Sequence, residues 1–233
     1  MKTSQPCLWG YLITIMVFIL SVHWGNRTIT VMAENRPIHR THCIVIDAGH
    51  GGIDGGATSC TGKLESSFNL DIALRLNDLM HLLGYETKMI RTVDTSIYTK
   101  GETIAQKKVS DLKERVRIVN EIPNALLLSI HQNNFSDGKY SGAQVFYGVG
   151  QGSDVLAKQL QDALVSSINP GSHRQCKQAK EIYLMEHIYC PGVLIECGFL
   201  SNPEEEANLR TPNYQRKLCC VIAATTARFL SNT

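Results

Sequence analysis

The chain contains 233 residues, of which 43% are hydrophobic and 19% are charged, and this length is sufficient for one domain with a substantial core. Its 23 Lys and Arg residues nearly balance its 21 Asp and Glu residues, and the two excess positive charges, Lys2 and Arg27, both precede residue 34. The rest of the chain is therefore neutral. That balance gives no indication of a nucleic-acid partner, which would require a basic surface.

The first 33 residues predict a membrane-targeting segment. Residues 8–24 (LWGYLITIMVFILSVHW) form an apolar run without Asp, Glu, Lys or Arg. This run is near the lower limit for crossing a bilayer and long for a signal peptide, so residues 1–33 are either a cleaved signal peptide or a retained membrane anchor. Both alternatives export the remaining residues, which we divide into a polar linker over residues 34–41 and a folded domain over residues 42–233.

Eight cysteines occur in the chain, and seven of them lie outside the leader. They form no CxxC pair and have no spacing typical of a disulfide framework. We therefore expect most of them to be small buried hydrophobic residues, including Cys219 and Cys220 in an apolar helical run.

The first half of the domain alternates strands with helices. Residues 43–46 are apolar throughout and predict a central strand, which a glycine-rich loop follows. Residues 66–83 carry apolar side chains at three- and four-residue spacings, so they predict an amphipathic helix that ends before Gly84. Residues 85–92 predict a strand near the edge of the sheet, and residues 111–122 predict a second helix.

The second half continues this alternation. Strands are predicted over residues 125–131, 142–147, 181–185 and 192–195, and helices over residues 154–168 and 214–229. Asn202 and Pro203 predict a further helix start, with Asn as the cap and Pro at the first helical position. The alternation predicts an α/β fold: a single domain with a mixed, largely parallel sheet and helices on both faces.

Side chains able to bind a metal follow several of these apolar strands. His50 and Glu65 follow the first strand, His131 ends another, and Glu196 follows the last. In an α/β sheet such positions meet beyond the carboxyl ends of the strands. A catalytic zinc takes three His or carboxylate ligands and leaves a fourth position for water.

The spacing alone does not establish such a site. A single His at a strand end is more commonly structural, and a Glu at a helix start more commonly interacts with the helix dipole. The hypothesis therefore depends on the joint occurrence of the residues. In it, His50, Glu65 and His131 bind zinc, while Glu196 takes a proton from water and returns it to a leaving amine.

The glycine-rich loop after the first strand has a second interpretation, because such loops also bind phosphates. Residues 44–65 read IVIDAGHGGIDGGATSCTGKLE and contain neither GxGxxG directly after the strand nor GxxxxGK[ST]. His50 would also occupy the anion position. We therefore predict no nucleotide site, and expect the glycines to let the backbone turn closely around a metal ligand.

The combination of these motifs, in order, resembles the zinc-dependent N-acetylmuramoyl-L-alanine amidases of bacterial cell walls, the amidase_3 family. The resemblance covers residues 44–230, and its motifs are DAGHGG (47–52), Glu65, SIHQN (129–133) and ECGFLSN (196–202). Four other residues also match family positions, and we expect them to be structural: Arg91, Asp94, Arg115 and Asn120.

This resemblance implies the role of each site residue. His50, Glu65 and His131 are then the zinc ligands, Glu196 is the catalytic carboxylate, and Asn133 orients the substrate near the metal. Residues 42–233 become a zinc amidase catalytic domain. The bond that is cut is the amide between N-acetylmuramic acid and L-alanine in peptidoglycan.

Three further segments, residues 107–116, 141–144 and 181–185, are similar to the sporulation- and germination-specific amidases of this family. That similarity implies removal of stem peptides from the spore cortex, in the intermembrane space around the developing spore. A peptidoglycan deacetylase would then complete muramic-δ-lactam. The need for an activating partner protein stays open. Two other functions also stay open, a zinc peptidase that cuts within the stem peptide and a non-catalytic wall-binding relative.

Overall fold

The computed structural model describes Met16 and residues 42–232. Residues 42–232 lie within one compact unit, His39–Thr233. The predicted leader (residues 1–33, apart from Met16) and linker (residues 34–41) lie outside the described residues. In the part of the chain that is described, no helix is both long enough and apolar enough to cross a bilayer.

The domain contains six strands and six helices among its described residues. The strands are β1 (Cys43–Ala48), β2 (Glu86–Met89), β3 (Ala125–Asn133), β4 (Gln144–Tyr147), β5 (Lys177–Gln178) and β6 (Gly192–Phe199). The helices are α1 (Glu65–Leu82), α2 (Ile104–Glu121), α3 (Ser153–Ser167), α4 (Tyr183–His187), α5 (Pro203–Leu209) and α6 (Pro212–Ser231).

The strands form one mixed, mostly parallel sheet in the order β2-β1-β3-β6-β4-β5. Strands β2, β1, β3 and β6 are parallel, whereas β4 is antiparallel to β6 and β5 is parallel to β4. The predicted edge position of residues 85–92 is confirmed, because β2 is the outermost strand.

Helices cover both faces of the sheet, as the alternation predicts. Successive residues of a strand point to opposite faces, so Ile44 and Ile46 belong to one buried cluster and Val45 to another. Residues of α1, α3 and α6 complete the first cluster, while Val119 of α2 and Met185 of α4 contribute to the second. The predicted α/β class with helices on both faces is confirmed.

Two predicted elements are wrong in extent or type. Helix α2 begins at Ile104, seven residues before the predicted start, because Thr103 and Gln106 form a capping box in which each side chain binds the other's backbone N–H. Residues 181–185 were expected to form a strand, but residues 183–187 are helical. A short apolar run suits a strand or a buried helical turn equally well, and burial of Leu184 and Met185 against the sheet favours the helix.

The cysteine prediction is also wrong in part. All seven described cysteines are free thiols, and of these only Cys197 and Cys219 are buried. Cys220 is exposed because it lies on the outer side of α6, next to the buried Cys219. The apolar run in α6 therefore has one buried face and one exposed face.

Candidate metal centre

The predicted site residues meet at the carboxyl edge of β1, β3 and β6. His131 of β3 is paired with Glu196 of β6 in register. Paired residues of neighbouring strands point to the same face of a sheet. Both side chains therefore lie on the face against which α2 and α4 pack. His50 lies two residues after β1, and Glu65 is the first residue of α1.

Glu196 lies inside its strand and not after it, contrary to the sequence prediction. Strand β6 continues to Phe199, and the pairing shifts just beyond the site: His131 pairs with Glu196, but Asn133 pairs with Phe199. One strand advances two residues while the other advances three, which is a β-bulge. Bulges redirect side chains and are common beside active sites.

His50, Glu65 and His131 form a cluster that could hold a metal ion. One ligand atom from each lies within 4.8 Å of the other two. The Glu65 carboxylate lies between the imidazoles, with Oε2 at 3.3 Å from His50 Nε2 and Oε1 at 3.0 Å from His131 Nδ1. Two imidazoles and a carboxylate are a common catalytic zinc set, so these residues fit that ion.

The Glu65 carboxylate is held in place by backbone and side-chain donors. Oε2 accepts a hydrogen bond from the N–H of Ala57 at 3.0 Å, and Oε1 accepts one from the N–H of Gln132 at 3.2 Å. Asn69 donates to Oε1 at 3.2 Å from one turn along α1. Although burial opposes ionisation, hydrogen bonds from His131 and His50 hold the pKa of Glu65 well below its usual range. The carboxylate is therefore ready to bind a cation.

His50 is oriented by a second carboxylate. Its Nδ1 lies 2.9 Å from Asp54 Oδ2, and Lys108 Nζ lies 2.7 Å from the other oxygen of Asp54. Such a carboxylate fixes the ring orientation of a metal-binding His. Against the effect of burial, hydrogen bonds and charges of Glu65 and Asp54 raise the pKa of His50 to about 9. Metal binding at neutral pH must therefore displace a proton from this ring.

His131 occupies space that a missing side chain provides. A Cβ added at Gly49 would lie 2.2 Å from His131 Nε2, so any other residue there would displace the imidazole. The close backbone approach that the sequence predicts for the glycines is therefore present at Gly49, against the candidate ligand His131.

We expect Gly49→Ala to reduce zinc affinity by at least about tenfold, because displacing one ligand by an ångström disrupts its bond to the metal. Isothermal titration with Zn²⁺ measures this. Gly62→Ala is the matched control: Gly62 has φ +89° but nothing within 4 Å of an added Cβ. It should cost about 1 kcal/mol of stability through backbone strain and leave zinc affinity unchanged. Equal zinc affinity in the two variants would contradict the steric role of Gly49.

Glu196 differs from Glu65 because one of its carboxylate oxygens faces no hydrogen-bond donor. Its Oε2 is buried and accepts no hydrogen bond from any residue that the structure describes. Burial, and then the negative charge of Glu65, raise the pKa of Glu196 to about 7, while His131 and His50 act in the opposite direction. A carboxyl group with a pKa near 7 can both accept and release a proton at neutral pH, which general acid–base catalysis requires.

The two residues after His131, Gln132 and Asn133, both form hydrogen bonds within the protein. Gln132 is buried and donates to Asn69 Oδ1 at 3.3 Å, so its side chain supports the residue that holds Glu65. The carbonyl of Asn133 accepts a hydrogen bond from Leu200 N–H at 2.8 Å, and the residue is partly exposed. The substrate role of Asn133 stays a prediction.

The four residues expected to be structural make structural contacts. Arg91 donates to the carbonyls of Ala48 and Gly49, and Asp94 accepts from the N–H of Gly52. Arg115 forms an ion pair with Asp47 and donates to the carbonyl of His50 at 2.8 Å. Asn120 bonds the backbone of His187 and Tyr189, which ties α2 to α4.

Sequence reasoning missed Asp54 and Asn69, which form hydrogen bonds with two of the candidate ligands but are not members of the cluster. Both follow the residue that they support by four positions, Asp54 after His50 and Asn69 after Glu65. On a helix that spacing places two side chains on one face, so the sequence contained a signal for Asn69. Asp54 lies in an irregular loop, where the same spacing has no fixed geometric meaning.

Comparison with known proteins places this geometry in a family. The family Amidase_3, described as N-acetylmuramoyl-L-alanine amidase, matches residues 44–227. The germination-specific N-acetylmuramoyl-L-alanine amidase of Bacillus subtilis (strain 168) is 40% identical over 182 residues, which cover 77% of this chain and 76% of that protein.

Solved structures agree with this assignment. The CwlD amidase of Clostridioides difficile, solved in complex with the GerS lipoprotein, is similar with a TM-score of 0.78 at 37% identity, covering 82% of this chain and 99% of that one. An N-acetylmuramoyl-L-alanine amidase of Clostridium difficile 630 has a TM-score of 0.73 at 28% identity, covering 83% and 99%. The family match spans most of the chain and is supported by these relatives, so the chain belongs to the Amidase_3 family and is an N-acetylmuramoyl-L-alanine amidase that acts on peptidoglycan.

Proposed function

We propose that this amidase is zinc-dependent and that His50, Glu65 and His131 hold the ion while Glu196 transfers the proton. The observation that carries the proposal is the pairing of His131 with Glu196, which puts a half-buried carboxyl of raised pKa, with Oε2 enclosed, beside the His-Glu-His cluster. Zinc bound there would polarise the scissile carbonyl and lower the pKa of water toward ~7.

The protein's own residues account for the rest of the reaction. Ionised Glu196 removes a proton from the water that attacks the lactyl carbonyl of N-acetylmuramic acid. It then gives that proton to the alanine nitrogen as the C–N bond breaks, so the products are a free lactyl carboxyl and a free amine. We assign Asn133, two residues beyond His131, to orienting the substrate.

We further propose that the substrate is peptidoglycan of the spore cortex, with stem-peptide removal as the first step toward muramic-δ-lactam. The 40% identity to a germination-specific amidase supports this role. A peptidoglycan deacetylase would act on the product. Residues 1–33 would export the domain, as a signal peptide or a membrane anchor, to the space between the membranes around the spore. The complex of a similar amidase with a lipoprotein supports an activating partner.

Mass spectrometry of the products from a purified muropeptide tests the reaction. We expect release of the intact stem peptide with a free N-terminal alanine, leaving a muramic acid carboxyl, and we expect a chelator to stop the release and added Zn²⁺ to restore it. Products cut within the stem would indicate a peptidase. A folded chain that binds no zinc and releases nothing would indicate a wall-binding relative.

A further inference from the structure

A cavity of about 780 Å³ lies at the same edge of the sheet as the metal cluster, on the β4 side. Its walls come from residues 141–144, which lead into β4, and from residues 169–177, which lead into β5. Because β4 runs antiparallel to β6, the beginning of β4 lies beside the carboxyl end of β6.

The cavity lies one strand away from the proposed catalytic carboxylate. Gln144, one of its lining residues, is paired in register with Glu196. The Cα atoms of such a pair are ~5 Å apart, and the two side chains start from the same face of the sheet. A substrate whose scissile amide lies at Glu196, and whose chain extends across β4, meets this cavity.

Arg174 is held rigidly at the cavity wall. Its Nε donates to the carbonyl of Ser141 at 2.7 Å, and its Nη1 donates to Gln144 Oε1 at 3.1 Å. Its guanidinium carbon lies 4.7 Å from the centre of the Phe199 ring, and Phe199 is buried. The side chain therefore loses little freedom when it binds a ligand, and a fixed guanidinium is well suited to binding a carboxylate.

The charge of Arg174 is not neutralised by a bonded carboxylate. Among the described residues, both of its hydrogen-bond acceptors are neutral amide oxygens. Glu205 is close enough to interact with it electrostatically, but the Glu205 oxygens accept hydrogen bonds from the N–H groups of Gly142 and Phe199. Lys177 and His173 also line the cavity, and no described acidic side chain does.

From this placement we propose that the cavity binds a carboxylate of the stem peptide, with Arg174 as the residue that recognises it. The inference rests on the proposed function. The sugars of the glycan and the scissile amide are uncharged, whereas the stem peptide carries free carboxylates, so a cationic cavity beside Glu196 fits the peptide side of the bond. A charge-assisted contact of this kind is stronger than a neutral hydrogen bond and gives selectivity for the acidic form of the substrate.

The test compares a purified muropeptide with the same muropeptide after its stem carboxylates have been converted to amides. We expect the wild-type enzyme to cleave the acidic form with a kcat/KM roughly tenfold to a hundredfold higher, mainly through a lower KM. Arg174→Gln should lose most of that preference and cleave the amidated form as the wild type does. Lys177→Gln, at an exposed position, should reduce the preference by a smaller factor.

Lys158→Gln is the control, because Lys158 is an exposed cation on α3 that pairs with Asp162 and is not itself a lining residue of the cavity. It should keep the full preference. Equal cleavage of both substrates by the wild type would overturn the inference even if Arg174→Gln failed to fold, and so would an unchanged preference in folded Arg174→Gln. Cleavage of neither form by the zinc-loaded wild type would instead overturn the proposed function, and the inference with it.

Discussion

Glu196→Gln lowers kcat by a factor of roughly 10² to 10⁴, the usual contribution of a positioned acid–base group. The amide side chain has nearly the same shape as the carboxyl but cannot accept the proton of the attacking water. Zinc content should stay unchanged, since His50, Glu65 and His131 are intact. The measurement is release of stem peptide from a muropeptide, with metal analysis of the same sample. Retention of full activity would contradict the role of Glu196.

Although the same substitution lowers activity, we expect it to increase the stability of the protein when zinc is removed by a chelator. The pKa of Glu196 is raised from its ordinary 4.5 to about 7, so the folded protein loses stability as pH rises through that range, because the unfolded chain ionises first. One pKa unit is worth about 1.4 kcal/mol, so the loss is at most ~3.5 kcal/mol above pH 7.

Glu196→Gln removes this cost. We therefore expect the chelated variant to be more stable than the chelated wild type at pH 8 and equally stable at pH 4, where both forms are neutral at this position. Urea unfolding at the two pH values measures the difference. The quantity to compare is the difference in free energy of unfolding between variant and wild type at each pH. An equal difference at pH 8 and pH 4 would show that ionised Glu196 does not destabilise the folded protein.

The second large effect is expected at the buried ion pair between Asp47 of β1 and Arg115 of α2. Asp47 and Arg115 are both almost fully buried, and Arg115 also contacts Asp111 and the carbonyls of Ala48 and His50. Arg115→Met leaves Asp47 as a buried carboxylate whose remaining side-chain donor is Ser129. Breaking a buried pair in this way costs about 3–5 kcal/mol, measured as the free energy of unfolding in urea.

Helix α2 also supplies the control. Arg117 lies two residues further along, is half exposed, and pairs with Glu114 and Glu121 at the surface. Arg117→Met should therefore cost less than about 1 kcal/mol. Adding Asp47→Asn to Arg115→Met should recover part of the loss, since no uncompensated charge then stays buried. Equal costs for the two single Arg variants would contradict the importance of the buried pair.

The sequence alone determined the class of fold and selected the candidate site residues. Strand β1, helix α1 and strand β3 were predicted because their hydrophobic periodicity is a local property, repeated within one element. His50, Glu65 and His131 could be selected because they are ligand-type residues next to such elements, and the amidase motifs then assigned their roles. Where a local pattern suits two structures, as over residues 181–185, the sequence prediction of a strand was wrong.

The tertiary structure alone decided how these residues meet. The contact between Glu65 and His131 joins positions 66 residues apart, and no local pattern specifies its distance. The bulge beside Glu196, the support of His50 by Asp54 and the cavity at Arg174 likewise depend on which strands are neighbours. The physical reason is that hydrophobic periodicity specifies which face of an element is buried, whereas the packing of whole elements sets the distances between side chains on which metal binding and catalysis depend.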